Sequence, residues 1–141
     1  VFGRVVGLGM NETELYENQQ LSDRLIHNLN TNPTMPFTDR SFDACILAVS
    51  VQYLTRPVEV FADVARVLKP GAPFAISFSN RMFPTKAVAI WRGIGDADHA
   101  RLLETYLRTA GGFQDLSFED LSPAPGKTDP LYLVSARREM V

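Results

Sequence analysis

The chain has 141 residues, of which 45% are hydrophobic and 21% charged, values that are ordinary for a globular protein of one domain. A formal net charge of -2 gives no electrostatic basis for binding nucleic acid in bulk. No apolar run reaches the length of a membrane span, and the N-terminus lacks a signal-peptide pattern. The single cysteine, Cys45, excludes a disulfide framework and a cysteine metal cluster. Its position within an apolar run predicts a small buried side chain, not a reactive thiol.

The first third of the chain predicts two short strands separated by a helix. Residues 4–8 form an apolar run that contains Gly7 and favours a strand. Asn11 and Glu14 have the spacing of a capping box, which predicts that a helix begins there. A weak second strand is predicted at residues 25–26, and a polar loop with two prolines follows over residues 28–37.

The middle of the chain predicts a strand, a helix and a second strand. Residues 43–49 are almost continuously apolar, as expected of a parallel strand that is covered on both faces. A helix is predicted from Pro57 to Leu68, where Pro70 and Gly71 prevent it from continuing. Its apolar positions recur at helical spacing: Val58, Phe61, Val64, Ala65 and Leu68. Residues 74–78 then predict the next strand.

The last third predicts two helices followed by two consecutive strands. Pro84 begins a helix that includes Trp91, and residues 97–110 form another that ends at Gly111 and Gly112. Residues 113–121 and 131–137 favour strands. Alternating strands and helices indicate a single α/β domain over residues 1–141.

Two segments identify a family resemblance. Met35-Pro-Phe37 with Ser41-Phe-Asp43, and then Arg66-Val-Leu-Lys-Pro-Gly71, resemble the second half of a class I S-adenosylmethionine-dependent methyltransferase of the type-11 kind. The resemblance implies a Rossmann-like three-layer sandwich, with a mostly parallel sheet and an antiparallel C-terminal hairpin. It also implies S-adenosylmethionine as the cofactor. The family's central first strand and glycine-rich loop have no counterpart in this chain, so we expect a preceding segment or another chain to complete the sheet.

The resemblance also places the cofactor at the carboxyl ends of three strands. The family carries an acid for the ribose hydroxyls where this chain has Gly9, and an aspartate for the adenine amine where it has Asn28. The residues expected to contact the cofactor are Gly7, Gly9, Met10, Asn28, Leu29, Val49 and Ser50. Simpler interpretations stand beside this one: the two glycines suit a tight turn, and Asn28 and Asn30 are common turn formers.

The sequence does not identify the catalytic residues, and the candidates are Tyr53, Asn80 and Arg81. Residues 77–86 follow a strand and are rich in polar groups, which suits a pocket for an anionic or carbonyl-bearing substrate. The same residues also suit a loop that only leads into the next helix. Tyr53 is equally compatible with a core position. No metal site is predicted, and neither His27 nor His99 has an acidic partner at a telling spacing.

The sequence leaves two functions open. The first is a methyltransferase domain that acts on a small molecule or a protein. The second is a methyltransferase-like subunit that has lost cofactor binding and serves as a structural or interaction module, which the absence of acids at Gly9 and Asn28 favours. A nucleotide-binding oxidoreductase is disfavoured by the two consecutive strands at the end of the chain. An intracellular location is expected, with the cytoplasm ahead of an organelle matrix.

Overall fold

A computed structural model of the protein describes residues 3–9, 12–48, 50–79, 88, 91, 95–123 and 129–140. The elements in chain order are β1 (Val6–Gly9), α1 (Glu12–Glu17), β2 (Asp23–Ile26), β3 (Cys45–Ala48), a 3-10 turn (Val51–Tyr53), α2 (Pro57–Val67), β4 (Pro73–Phe78), α3 (Asp96–Ala110), β5 (Phe113–Asp120) and β6 (Tyr132–Arg138). None of the described helices is long and apolar enough to cross a membrane. The predicted cap at Asn11 and the helix from Pro84 lie outside the described residues, apart from Val88 and Trp91.

The strands form two sheets. In the first, β1 and β2 run parallel, with Val6 opposite Asp23 and Gly9 opposite Ile26. The second has the order β3-β4-β6-β5, in which β3 and β4 are parallel and β6 lies antiparallel between β4 and β5. This arrangement confirms the α/β class and the antiparallel C-terminal hairpin expected from the sequence.

The two sheets do not pair with each other. In the described part of the chain, no strand is hydrogen-bonded to the side of β1 opposite β2 or to the side of β3 opposite β4. This confirms the expectation that Val6 and Cys45 lie on strands that are not direct neighbours. Among the described strands, β1 and β3 therefore each keep one edge without a partner strand.

Helices α2 and α3 cover one face of the second sheet. Phe61 of α2 packs edge-on against Phe74 of β4 at 5.2 Å and against Tyr106 of α3 at 5.9 Å between ring centroids. Phe61, Phe74 and Leu68 are fully buried. The helix α2 begins with Pro57 as expected, but it ends at Val67 because Leu68 adopts an extended backbone and bridges to Phe42.

The other face of β3 is bare in the described residues. Leu47 is in register with the fully buried Ile76, so it points to the face that carries the helices. The neighbouring Ile46 points the opposite way and is 70% exposed, and Ala48 is also exposed. The prediction that both faces of this strand are covered is therefore wrong for this part of the chain, because α2 and α3 pack on the same side.

Arg66 fixes the loop that leads into β3. Its guanidinium donates to Asp63 at 2.7 Å and to Asp39 at 2.9 Å, and also to the carbonyls of Met35 and Phe37. Hydrogen bonds with Asp63 and then Asp39 raise the pKa of Arg66 above its ordinary value. Asp63 also accepts the backbone N–H of Met35 at 2.7 Å. Arg66 therefore ties the motif residues 35–37 to helix α2, and this network of hydrogen bonds is called the latch below.

The outer strand β5 is irregular. Its register with β6 shifts between Gln114 and Ser117, and Asp115 within the shift has a φ of 55°. This is the geometry of a β-bulge. The preceding helix ends at Gly111 and Gly112, whose φ values of 76° and 85° favour glycine, as predicted.

Candidate functional site

The carboxyl ends of β1 and β2 lie together. The strands are parallel, and the first N–H beyond β2, that of His27, donates to the carbonyl of Gly9 at 2.9 Å. The carboxyl ends of β3 and β4 are likewise adjacent, since Ala48 is opposite Ser77. These two pairs of strand ends carry the residues for which the sequence predicts a ligand site.

Gly7 and Gly9 lie within β1, and neither has a positive φ. A side chain at Gly7 would overlap Leu21 Cδ1, so packing explains that glycine. A Cβ at Gly9 would instead make ordinary contact with Leu15, at 3.7 Å or more. A tight turn therefore does not account for either glycine, and the backbone at Gly9 has room for a side chain.

Asn28 forms a turn at the end of β2. Its side-chain Oδ1 accepts the N–H of Asn30 at 3.0 Å, and its backbone carbonyl accepts the N–H of Asn32 at 3.0 Å. The ring Nε2 of His27 lies 2.8 Å from the carbonyl of Asn32 and must donate to it. This confirms Asn28 as a turn former. Its Oδ1 keeps one lone pair for another donor, while Leu29 packs partly buried against the core.

Asn30 joins this turn to the segment after β3. Its Nδ2 donates to the carbonyl of Tyr53 at 3.0 Å, and its Oδ1 accepts the N–H of Thr55 at 2.9 Å. The sequence gives no signal for this role, because the partners are 23 and 25 positions away.

The segment after β3 is a single 3-10 turn. It follows Ser50, which is partly buried and whose carbonyl accepts the N–H of Tyr53 at 3.1 Å. Val51 and Gln52 are almost fully buried, so the turn is anchored in the core, while Tyr53 is partly buried. Four of the sequence-predicted site residues, Met10, Val49, Asn80 and Arg81, lie outside the described residues.

A buried polar cluster that the sequence did not predict lies beyond the end of β4. The ring of His99 stacks on Trp91 at 3.9 Å between centroids, with an angle of 7° between planes. Its Nε2 lies 2.7 Å from the carbonyl of Trp91 and must donate to it. Phe78 packs edge-on against both rings. These contacts give His99 a structural role in joining α3 to the segment before it.

Cys45 packs against the core on the covered face of β3. Burial raises the pKa of its thiol to about 12. The thiol is therefore protonated at neutral pH and is a poor nucleophile, as expected for a structural cysteine.

The described strand ends fit an adenosine only in part. Asn28 and Leu29 offer a hydrogen-bonding amide and an apolar contact of the kind an adenine needs. Gly9 offers no acid for the ribose hydroxyls, although space for one exists beside Leu15.

Comparisons with known proteins agree with this architecture. A model of the methyltransferase domain family matches residues 1–76. The chain is 30% identical over 103 residues to the biotin biosynthesis bifunctional protein BioHC of Teredinibacter turnerae, which covers 69% of this chain and 18% of that protein. It is 28% identical over 148 aligned positions to a sterol 24-C-methyltransferase of Gibberella zeae, with coverage of 91% of this chain and 38% of that enzyme. A solved S-adenosylmethionine-dependent methyltransferase of Thermotoga maritima superposes with a TM-score of 0.69 at 16% identity, over 96% of this chain and 72% of that one.

The chain spans less than half the length of both curated relatives. The structural likeness, at 16% identity, shows a shared fold. The family model covers more than half of the chain, including both strands of the first sheet and most of β4. The chain therefore belongs to the methyltransferase domain family.

Proposed function

We propose that this protein uses S-adenosylmethionine to methylate a small molecule or a protein. The observation that carries the proposal is the convergence of the strand-end loops, with Asn28 and Asn30 after β2 held against Tyr53 after β3. Family membership supports the same cofactor, and the T. maritima neighbour is described as dependent on it. A cytoplasmic location is part of the proposal.

In this proposal the loop after β2 and the segment after β3 contact different parts of the cofactor and the acceptor. Asn28 and Leu29 hold the adenine, and Ser50 lines the cofactor beside them. Tyr53 lies at the acceptor mouth, with Asn80 and Arg81 assigned to the acceptor itself. The bound cofactor supplies a methyl group on a positively charged sulfur, and the protein contributes mainly alignment of acceptor and methyl. A methyltransferase therefore needs no catalytic dyad, and its residues act chiefly by orienting the two reactants and excluding water.

A further strand, from a preceding segment or another chain, completes the sheet between β1 and β3. In the described residues the edge of β3 opposite β4 has no partner strand, and Ile46 of β3 is 70% exposed. Exposed apolar side chains next to unpaired strand edges favour the addition of a strand.

A second candidate is a methyltransferase-like module that does not bind the cofactor. Gly9 favours this alternative, because the charge-assisted hydrogen bonds that a carboxylate accepts from the ribose hydroxyls contribute about 1.5–3 kcal/mol. Each 1.4 kcal/mol is about tenfold in affinity, so the loss of this ligand weakens cofactor binding by roughly ten- to a hundredfold.

Calorimetry with S-adenosylmethionine on the full-length protein decides between the two. We expect weak but measurable binding. Low-micromolar affinity would exclude the non-binding module, whereas no heat at millimolar cofactor would exclude the enzyme.

The substitution Gly9→Asp sharpens this test, and Gly9→Asn is its matched neutral control. A Cβ at this position makes only ordinary contact with Leu15, and the two side chains have similar sizes and differ mainly in charge. We expect Gly9→Asp to tighten binding by about tenfold and Gly9→Asn by far less, since only the carboxylate makes charge-assisted bonds. Equal affinities for the two variants would show that the ribose does not lie at this position.

A further inference from the structure

We propose that Asn30 is the residue that positions the adenine loop against the acceptor mouth, an inference that rests on the proposed function. The adenine loop is defined as residues 27–32, and the acceptor turn as residues 50–55. Asn30 lies in the first and forms hydrogen bonds with two residues of the second.

The amide of Asn30 uses both its donor and its acceptor on one stretch of backbone. Its Nδ2 faces the carbonyl of Tyr53 and its Oδ1 faces the N–H of Thr55, at 3.0 Å and 2.9 Å. The reversed amide would put a donor against a donor and an acceptor against an acceptor, so the observed orientation is the one the partners demand. The side chain thus bridges two loops in the way that a backbone strand bridges its neighbour.

Each end of this bridge is rigid. On one side, the adenine loop is closed by the bond from the N–H of Asn30 to Oδ1 of Asn28 and by the bond between His27 and the carbonyl of Asn32. On the other side, the acceptor turn is anchored by Val51, Gln52 and Leu54, which are at most 8% exposed. Asn30 therefore fixes Asn28 relative to the core through its backbone and its side chain together.

This role is specific to an amide. Alanine removes both bonds. Aspartate keeps the bond from Thr55 but, when ionised, turns a second oxygen towards the carbonyl of Tyr53 and repels it. Because the protonated acid can donate to that carbonyl, we expect the pKa of the introduced carboxyl in the Asn30→Asp variant to lie above the ordinary value of about 3.9. The affinity of this variant for ligand should recover as the pH falls through that pKa.

The first experiment measures the bridge directly by amide hydrogen exchange on the full-length protein without ligand. In Asn30→Ala, exchange of the Thr55 N–H is expected to be about tenfold faster than in wild type, while β4 is unchanged. In Asn30→Asp the same N–H stays protected, since its acceptor remains. The control is Asn32→Asp, which adds the same charge to the same loop, where the Asn32 side chain accepts the N–H of Thr34. Equal exchange at Thr55 in wild type and Asn30→Ala would overturn the bridge.

The second experiment measures binding of S-adenosylhomocysteine and of adenosine. Asn30→Ala and Asn30→Asp are expected to weaken both ligands at pH 7 by a similar factor, about three- to tenfold, because the loop contacts the adenine end. Only Asn30→Asp should regain affinity towards pH 5. The Asn32→Asp variant shows whether a negative charge in the same loop changes binding by itself. Leu107→Ala, a buried position of α3 that belongs to neither loop, serves as a control for general destabilisation.

Unchanged affinity in both Asn30 variants would overturn the positioning role even if the exchange experiment succeeds. If wild-type protein binds neither ligand, the proposed function fails and the positioning role fails with it. The exchange result at Thr55 still reports separately whether Asn30 holds the two loops together.

Discussion

The sheet of β3, β4, β6 and β5 and the sheet of β1 and β2 differ in how much of their surface the described chain covers. In the first, Phe74, Ile76 and Phe78 of β4 are fully buried. In the second, every residue of β1 is only partly buried, and Ile26 at the end of β2 is 56% exposed. The larger sheet has a core of its own, whereas the smaller one depends on its contacts with loops and on whatever fills the space beside β1.

The largest expected effect comes from Phe61→Ala, which removes a ring at the centre of the covered face. A fully buried phenylalanine replaced by alanine costs about 3–5 kcal/mol of unfolding free energy. The measurement is denaturant unfolding of the full-length protein. A change within error would place this ring outside the core.

Ile46→Ala is the matched control for Phe61→Ala, because Ile46 points to the exposed face of β3. With a side chain that is 70% exposed, Ile46→Ala should cost about 0.5 kcal/mol or less of unfolding free energy. A cost of about 2–5 kcal/mol would show that this face is covered in the protein.

A smaller effect is expected from Arg66→Ala, which opens the latch on the loop that enters β3. The loss leaves the carboxylate of Asp63, whose side chain is 10% exposed, with the N–H of Met35 but without its cation, and the lost hydrogen bonds to a charged group cost about 1–3 kcal/mol. The control is Arg108→Ala, whose pair with Glu104 is exposed and should contribute about 0.5 kcal/mol at most. Thermal unfolding of the two variants side by side measures the difference. Equal shifts would mean that the latch is no stronger than a surface ion pair.

The smallest effect concerns the uncovered sheet. Gly7→Ala must displace the flexible end of Leu21, so we expect a cost of about 1 kcal/mol. Gly9→Ala meets only ordinary contacts and should be neutral or stabilise the protein by about 0.4–1 kcal/mol. Chemical denaturation of both variants tests this difference between two glycines of one strand. The opposite order would show that Leu21 does not pack where the structure has it.

Local signals in the sequence predicted the larger sheet well. Pro57 and the apolar spacing up to Leu68 defined α2 to within one residue, and the glycine pair after α3 ended that helix as expected. The α/β class, the hairpin and the family also followed from the sequence, because they depend on element order and on a few motif residues.

The site was predicted less completely, for physical reasons that differ from residue to residue. The bridge from Asn30 joins loops that are adjacent only because of the strand order, so no spacing in the sequence reveals it. The run of apolar residues in β3 is typical of a strand covered on both faces, so Ile46 was expected to be buried. The run does not show which face the helices of this chain cover. The pair of His99 and Trp91 depends on how α3 packs, and it also has no local signature.

The bulge in β5 has a consequence for how the molecule meets other chains. The kink at Asp115 leaves the outermost strand poorly matched to a straight partner, and Glu119 and Asp120 add negative charge near its other end. The exposed side of β3 has neither safeguard, since all four of its residues are small or apolar and uncharged. Pairing with the strand of another chain is therefore disfavoured at the edge of β5 but not at the free edge of β3. How long that edge of β3 stays open during folding should govern how much of the protein is lost to aggregation.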